Sequence, residues 1–339
     1  MKYDIITIGS AVRDTYLFLN KDDAIVIENP KKEQTRKALI ALEYGAKINV
    51  KKSATTIGGG AANSAVTFSR LGFSCAAMVS VGRDSDGKAI VEMLADEKIS
   101  PQLVQTQKNL STGMSTLLVT EGKHRDHIAI LERGANEKLE FFKADAKWIY
   151  LTSISGDNCV KVIGKIAGFA QKKGIKWAWN PGSVQLKAGL KGLKKYLPYC
   201  TVLLLNRDEA LGLVSEGGKR RVKDDIPDLL RTLLKSGARS AVITEGPKGA
   251  YYADKGKMLF MAADKSVKLT ESTGAGDGFG SGFVSGLMLT NMQDIAFALD
   301  LGIANSESII QEIGAQKGAL RKRDIKKATA QGNHKLYEK

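Results

Sequence analysis

One short segment of this sequence combines helix-breaking residues with an acidic side chain: ESTGAGDGFGSGF, residues 271–283. An apolar, helix-like stretch follows it, so the segment is expected at a helix N-terminus. There Gly274, Ala275 and Gly276 would expose backbone N–H groups that, with the helix dipole, bind an anion such as phosphate. Asp277 in the first turn is placed to accept a proton from an attacking hydroxyl, or it is only an aspartate that the dipole favours.

Three further groups of residues follow predicted strands. Asp14 comes after the first strand and turn, where a carboxylate can accept two hydroxyl hydrogen bonds from a polyol, or cap a turn. The glycines 58–60 precede Asn63 and let a ligand touch the backbone, or form a plain turn. Asn206 and Glu209 begin a helix after a buried strand. Hard oxygen ligands at this spacing suit a hydrated magnesium ion carried by a nucleotide, but they are also common at a helix start.

Apolar strands and amphipathic helices alternate along the chain. Strands are expected at 4–9, 74–82, 146–154, 175–180, 201–206 and 240–246, and helices at 61–72, 87–98, 158–174, 224–237 and 284–314. This alternation predicts an α/β protein with a parallel sheet covered on both faces. In such a sheet the ligand lies outside the carboxyl ends of the strands, where the polar groups above are found.

Two stretches break the alternation, at about 15–56 and 111–132. They are typical of short strands and hairpins without crossover helices, and they predict a small β-sheet that forms a lid over a cleft. We find no linker composition and no internal repeat, so residues 1–339 are expected to form one domain. The open edges of the lid sheet would allow homodimer formation.

The composition indicates a globular protein of a reduced compartment. The chain has 339 residues, of which 43% are hydrophobic, and a mean hydropathy of −0.16. Neither a signal peptide nor an apolar run of membrane-spanning length is recognised. The three cysteines, Cys75, Cys159 and Cys200, are odd in number and far apart, which is typical of buried thiols and not of disulfides or a zinc site. A cytoplasmic location is expected.

The charge is strongly basic, with 51 Lys and Arg against 36 Asp and Glu and a net charge of +15. Nucleic-acid binding, phosphate ligands or a basic proteome would each produce such an excess. The short basic clusters at 31–37, 191–196, 218–221 and 321–327 contain no interleaved aromatic residues of the kind that stack on single strands. This favours a solvated surface and argues against nucleic acid as the main ligand.

Taken together, the motifs resemble those of the ribokinase family, the pfkB-type carbohydrate kinases. The resemblance covers nearly the whole chain through GSAVRD, GGGAAN, VGRDSDG, ERGAN, NPG, NRDE, TEGPKG, STGAGDGF and IGAQ, in this order. It implies a ribokinase-like three-layer sandwich with a central, mostly parallel sheet and a small β-sheet lid. The implied reaction is transfer of the γ-phosphoryl group of ATP to a hydroxyl of a ribose- or fructose-like sugar.

The resemblance also implies a role for each site residue. Asp277 corresponds to the catalytic base, and the amides of Gly274, Ala275 and Gly276 correspond to the anion hole. Glu209 would organise magnesium through water. The acceptor would be held by Asp14, Gly59, Gly60, Asn63 and Asn180, and the nucleotide by Asn206, Glu209, Thr244, Gly246, Gly249 and Asn305.

This chain departs from the family pattern at two of these positions. Gly60 stands where many ribokinases carry lysine, which removes a positive charge from the cleft. Glu271 stands where ribokinases use an aspartate for a monovalent cation, which leaves a potassium requirement open.

The acceptor is the weakest part of the resemblance. A phosphorylated acceptor would need a basic cluster, for which the lid offers Lys47, Lys123, His124, Arg125 and Arg133. Tyr16 and Phe18 could instead stack on a nucleoside base. A neutral sugar or a nucleoside is favoured over a phosphosugar. Three alternatives to a sugar kinase remain: a nucleoside kinase of the same fold, a nucleic-acid-binding protein on this scaffold, and a pseudokinase, which the intact base and anion hole disfavour.

Overall fold

The computed structural model describes residues 2–20, 22–30, 38–120, 127–218, 221–329 and 334–338, with the side chain of His127 left out. The strands are β1 Tyr3–Ile8, β2 Val12–Phe18, β3 Ile25–Glu28, β4 Ala38–Ala41, β5 Lys52–Gly58, β6 Cys75–Met78, β7 Ser80–Gly82, β8 Gln105–Gln107, β9 Met114–Val119, β10 His127–Glu132, β11 Ala146–Leu151, β12 Lys176–Trp179, β13 Val202–Asn206, β14 Ser240–Thr244, β15 Gly249–Asp254, β16 Met258–Ala262 and β17 Leu336–Glu338.

The helices alternate with these strands through most of the chain. They are α1 Gly60–Arg70, α2 Ser85–Asp96, α3 Cys159–Lys173, α4 Ser183–Leu186, α5 Gly189–Leu193, α6 Arg207–Val214, α7 Ile226–Lys235, α8 Ala275–Leu289, α9 Ile295–Ile309 and α10 Ile325–Thr329. Within the described ranges, no helix is long and apolar enough to cross a membrane.

The central sheet has the strand order β17-β16-β15-β14-β13-β12-β11-β1-β6. In this sheet β6, β1, β11, β12, β13 and β14 run parallel, and β15, β16 and β17 continue it with antiparallel pairing. Because the parallel strands point the same way, the residues that follow them gather at one edge of the sheet.

Both faces of the sheet are buried, which explains why its strands are apolar without alternation. Ile6 and Ile8 pack on one face against α3, α6 and α7, whereas Ile5 packs on the other against α1, α8 and α9. The result is three layers, with helices on each side of the sheet.

A separate four-stranded sheet has the order β10-β9-β2-β5. It is built from the two chain segments in which sequence analysis places short strands, and β3 and β4 form a further two-stranded sheet beside it in the chain. The division of the chain into one domain with a lid stays a prediction.

Two boundary predictions are wrong. Residues 284–314 do not form one helix: α8 ends at Leu289, the chain reverses through positive φ at Asn291 (49°) and Met292 (66°), and Asp294 caps α9. The apolar periodicity continues through this turn because both helices are buried, so it hides the break. The expected strand 74–82 is likewise divided, since β6 joins the central sheet and β7 pairs with β8.

The reversal also explains part of the glycine content of α8. A Cβ atom on Gly286 would lie 2.5 Å from the Cα of Ala298, and one on Gly282 would lie 2.8 Å from the Leu301 carbonyl oxygen. Glycine at these two positions lets α9 pack directly on the α8 backbone, which compensates for the lower helix propensity.

Candidate active site

The N-terminus of α8 presents unused backbone donors. Gly274 is the N-cap, with a left-handed φ of 80°. The N–H of Ala275 donates to the Ser272 carbonyl (3.2 Å), whereas the N–H groups of Gly276 and Asp277 have no protein acceptor among the described residues. An anion would therefore meet Gly276 and Asp277. The turn itself uses the Ala275 donor, so the contribution of this amide to an anion site stays a prediction.

Helix α1 does not compete for the anion, because Ser10 satisfies its first donors. The N–H of Gly60 donates to Ser10 Oγ (3.2 Å), and that of Ala61 donates to the Ser10 carbonyl (3.1 Å). A Cβ atom on Gly59, whose φ is 96°, would lie 2.6 Å from the Ser10 oxygen, so this close approach requires glycine. The glycines before α1 thus serve packing of the turn, and α8 is the helix whose N-terminus is open.

Asp277 is held by a side-chain hydrogen bond from α1. Asn63 Nδ2 donates to Asp277 Oδ2 at 2.8 Å. Burial raises the pKa of Asp277, and the bond from Asn63 acts in the opposite direction. A carboxylate with a raised pKa at a cleft is suited to accept and hold a proton.

Two other carboxylates share this electrostatic environment. Burial raises the pKa of Asp14 to about 7, and the Asp277 and Glu271 charges add to the effect. Burial likewise raises the pKa of Glu209 to about 7, with a contribution from Asp277. Several carboxylates with raised pKa values in one cleft indicate a functional site.

A first cavity of about 220 Å³ lies against the open end of α8. Its lining includes seven of the predicted residues: Asn180, Asn206, Glu209, Thr244, Gly274, Gly276 and Asp277. The strands β12, β13 and β14 deliver the first four of these at their carboxyl ends, as the alternation of strands and helices predicts.

A second cavity, also of about 220 Å³, lies between the central sheet and the four-stranded sheet. Asp14, Gly59 and Asn63 line it together with Met114 and Ser115 of β9 and with Arg133. Asp277 lines both cavities, so its carboxylate stands between them.

Asn206 and Glu209 form a reciprocal cap at the start of α6. Asn206 Oδ1 accepts from the Glu209 N–H (2.8 Å), and Glu209 Oε2 accepts from the Asn206 N–H (2.9 Å). The cap holds the Glu209 carboxyl group at the wall of the first cavity, where a single carboxylate fits a magnesium ion that keeps most of its waters. The two sequence readings, helix start and metal-organising element, are therefore compatible.

The structure changes the placement of several predicted residues. Asn180 lies in the first cavity with the nucleotide group, not with the acceptor group, and its Nδ2 donates to the Leu204 carbonyl (3.0 Å). Asn305 is fully buried: it donates to the Gly278 carbonyl (2.8 Å) and accepts from the Leu320 N–H (2.9 Å). Both polar groups of the Asn305 side chain are thus used within the core, and a nucleotide contact of this residue stays a prediction.

Gly246 and Gly249 lie in the turn after β14, beyond the wall that Thr244 forms. Gly249 is buried, and a Cβ atom there would lie 2.0 Å from the Met261 carbonyl oxygen. Close strand pairing with β16 therefore explains this glycine without a ligand. A direct nucleotide contact at these two positions stays a prediction.

Neither aromatic residue proposed to stack on a base lines one of the two cavities. Tyr16 is fully buried, and the Lys52 ammonium lies over the Phe18 ring, 5.8 Å from its centroid. Of the proposed basic cluster, Arg133 lines the second cavity. Lys123, His124 and Arg125 lie outside the described residues.

Sequence reasoning missed several residues of the site. Ser153 and Ser155 line the second cavity just beyond β11, and the rule of polar residues after strands would have found them. Asn136 lines it too and holds the turn after β1, through Ala11 N–H (3.1 Å) and the Ala11 carbonyl (3.0 Å). Gln316, the last residue of the IGAQ motif, donates to Asn63 Oδ1 (3.0 Å). The motif marks this position, but its partner could not be read from the local sequence, because Gln316 follows α9 in an irregular segment.

Comparison with known proteins agrees with this geometry. The chain is 26% identical over 286 residues to the ribokinase of Lactococcus lactis, a match that covers 83% of this chain and 88% of the relative. Two solved structures cover 97% of the chain and 99% of their own length at 19% identity: a Methanocaldococcus jannaschii nucleoside kinase, an archaeal member of the ribokinase family (TM-score 0.75), and an Arabidopsis thaliana ribokinase complexed with ribose and ATP (TM-score 0.76).

These likenesses confirm the predicted fold class, a ribokinase-like α/β sandwich. The sequence profile of the pfkB family carbohydrate kinases matches residues 30–323, which is most of the chain. The motifs, the fold and the profile agree, and the chain therefore belongs to the pfkB family of carbohydrate kinases.

Proposed function

We propose that this protein transfers the γ-phosphoryl group of ATP to a hydroxyl group of a sugar, with Asp277 as the general base. The observation that carries the proposal is the position of Asp277 in the lining of both cavities. ATP would occupy the cavity with Glu209 and Gly276, and the acceptor would occupy the cavity with Asp14 and Asn63. The Arabidopsis relative, which was solved with ribose and ATP, supports this pairing of ligands.

The chemistry follows from the groups around Asp277. The carboxylate takes the proton of the acceptor hydroxyl, whose oxygen forms a bond to the γ-phosphorus while the bond from that phosphorus to the β–γ bridging oxygen breaks. The free N–H groups of Gly276 and Asp277 stabilise the charge on the transferring group at the positive end of α8. Burial raises the pKa of Asp277, which favours retention of the transferred proton on its carboxyl group.

Magnesium would enter with ATP and be held by Glu209 through water. Burial raises the pKa of this carboxyl to about 7, so a bound cation would restore its ionised form. The chemistry that magnesium would supply there is neutralisation of charge on the phosphates.

A neutral sugar is the acceptor that the second cavity supports best. Asp14 and Ser115 offer hydroxyl partners, whereas Tyr16 is buried and cannot stack on a base. A nucleoside remains the second candidate of the same reaction class, in keeping with the archaeal structural relative.

Release of ADP from MgATP tests the proposal directly. The acceptors to compare are ribose, fructose, 2-keto-3-deoxygluconate, fructose 6-phosphate, adenosine and cytidine. We expect turnover with one neutral sugar well above the rate without acceptor, because Asp14 and Ser115 in the second cavity offer partners for sugar hydroxyls. A rate at background with every acceptor contradicts the proposal, and turnover with adenosine or cytidine alone establishes the nucleoside kinase instead.

The four-stranded sheet is the lid in this proposal, and it would exclude water from the transferring group.

The four-stranded sheet also offers a contact for a second copy of the chain. Ile128 and Ile130 lie on the same face of the edge strand β10 and are 39% and 56% exposed. Sedimentation of the intact protein is expected to show a dimer, and Ile130→Lys is expected to shift it to monomer. A monomeric parent protein rules out this contact.

The basic charge lies largely outside the cleft. From Asn158 to Asn206 the chain contains no acidic residue but nine lysines, all exposed: Lys161, Lys165, Lys172, Lys173, Lys176, Lys187, Lys191, Lys194 and Lys195. None of these lines either cavity. The charge is therefore separate from the proposed reaction, which needs no nucleic-acid partner.

A further inference from the structure

Two hydrogen bonds in series connect an irregular segment near the C-terminus to the proposed base. Gln316 Nε2 donates to Asn63 Oδ1 at 3.0 Å, and Asn63 Nδ2 donates to Asp277 Oδ2 at 2.8 Å. Asn63 is 5% exposed, and Gln316 is half-buried. The oxygen and one N–H group of the Asn63 side chain are thus both hydrogen-bonded to protein partners.

The direction of these bonds follows from the chemistry of the groups. An ionised carboxylate only accepts hydrogen bonds, so Asn63 must turn its NH₂ group towards Asp277. Its oxygen then points the other way and needs a donor, which the Gln316 amide supplies. Without that donor, the Asn63 amide could rotate by half a turn and place its oxygen against the Asp277 carboxylate, which repels the ionised form.

The segment that carries Gln316 is itself anchored to the end of α1. Arg70 Nη1 donates to the Gln316 carbonyl at 2.7 Å. The Arg70 guanidinium is paired with both carboxylate oxygens of Glu97, at 2.6 and 2.9 Å. Helix α1 therefore contains Asn63 in its first turn, and Arg70, its last residue, binds the Gln316 carbonyl.

The same segment is packed against the anion-binding turn. A Cβ atom on Gly274 would lie 2.3 Å from the Cβ of Ala315, the residue before Gln316. The segment that contains Ala315 and Gln316 is thus in direct contact with the N-terminus of α8, so Gln316 has a defined position relative to Asp277.

We propose that Gln316 is a positioning residue for phosphoryl transfer: it fixes the Asn63 amide so that Asn63 binds Asp277 Oδ2 and leaves Oδ1 directed at the acceptor. A Cβ atom on Gly60 would lie 3.2 Å from Asp277 Oδ1, so this oxygen lies beside the first residue of α1, which has no side chain to cover it. The inference rests on the proposed function. It also gives Asn63 a second task beside contact with the acceptor, namely orientation of the base.

The ionisation of Asp277 responds to every group around it, so these must be held constant in a test. The titratable groups that bear on it are Asp14 from β2, Glu209 from α6, Tyr150 from β11 and Arg133 in the shared cavity lining. Substitution at Gln316 changes none of these side chains.

The sharpest variant is Gln316→Glu, which keeps the shape but replaces the donor by an acceptor. The new carboxylate would draw the Asn63 NH₂ group to itself and turn the Asn63 oxygen towards Asp277. Because this disfavours the ionised base, the pKa of Asp277 rises and the base is charged only at higher pH. Gln316→Met, which has no donor and no charge, should shift in the same direction by less. Gln311→Glu is the matched control, because Gln311 is exposed and takes no part in the hydrogen bonds that join Gln316, Asn63 and Asp277.

The experiment measures kcat and the KM for ATP as a function of pH, with the acceptor found in the ADP-release comparison. We expect kcat of Gln316→Glu at pH 7 to fall about tenfold or more, with KM for ATP changed less than about twofold and partial recovery of kcat at higher pH. Unchanged kcat, or an equal loss at every pH with a raised KM for ATP, overturns the inference, since the latter indicates general damage to the fold.

A second measurement is independent of any reaction. In protein labelled with carboxyl-13C aspartate, the Asp277 signal is assigned by its loss in Asp277→Asn and titrated in the parent protein and in Gln316→Glu. A higher pKa of Asp277 in the variant supports the inference, and an identical titration overturns it. If no acceptor is ever phosphorylated while this shift is present, the proposed function fails, and the control of Asp277 by Gln316 stands without it.

Discussion

Replacement of Asp277 by asparagine is expected to lower kcat by about 10²- to 10⁴-fold, the usual contribution of a general base. The amide has the shape of the carboxyl group and can still accept the hydrogen bond from Asn63, but it cannot take the proton of the acceptor. Because burial raises the pKa of Asp277, its ionised form is costly in the folded state, so the neutral amide should not lower the unfolding temperature. ADP release with the preferred acceptor, together with thermal unfolding, measures both effects.

Asp96→Asn provides the control for Asp277→Asn, because Asp96 ends α2, is exposed and lies outside both cavities. It should change neither kcat nor the unfolding temperature. Retention of more than about a tenth of the parent kcat by Asp277→Asn would remove Asp277 from the role of base. The reaction would then need another proton acceptor, and Asp14, the other aspartate that lines the second cavity, is the candidate.

The second large effect is expected for Gly274→Ala. Gly274 has φ 80°, a conformation that costs a residue with a Cβ atom roughly 1–2 kcal/mol, and the new methyl group would lie 2.3 Å from the Ala315 Cβ. Either the turn or the 315–316 segment must move, and both support Asp277. We expect a lower unfolding temperature and a loss of kcat of about 10²-fold, the scale reported for one lost donor to a developing oxyanion.

Gly276→Ala, two residues further, is the matched comparison. Nothing lies within 4 Å of a Cβ atom at Gly276, and its φ is not positive, so the fold should tolerate the substitution. Alanine in a helix is favoured over glycine by up to about 1 kcal/mol. The methyl group would, however, project beside the first cavity, which Gly276 lines. Calorimetric titration with ATP should show weaker binding with an unchanged or higher unfolding temperature; equal loss of stability in both variants would contradict this account of the turn.

Much of the fold could be predicted from local pattern. The apolar strands β1, β11, β13 and β14 read as buried because both faces of a parallel sheet are covered, and helices such as α3 and α7 show one apolar side. The break between α8 and α9 could not be read in this way. Both helices are buried on most sides, so the hydrophobic pattern does not change where one ends and the next begins. The chain reverses through positive φ at Asn291 and Met292, and hydrophobic periodicity contains no information on these backbone angles.

The sequence by itself determined which local units could do chemistry: a glycine-rich helix start with Asp277, and a capped helix start with Glu209. These depend on neighbours in the chain, through helix dipoles, caps and positive φ, so residue order suffices. It also established the family through the order of the motifs.

Only the tertiary structure decided how these units share one reaction. The bond from Asn63 to Asp277 joins residues 214 positions apart, and that from Gln316 to Asn63 joins residues 253 apart. At such separations the partner of a side chain is set by the packing of α1, α8 and the segment after α9, not by spacing in the sequence. For the same reason the position of Asn305 in the core and of Asn180 in the lining of the first cavity could not be read from the sequence.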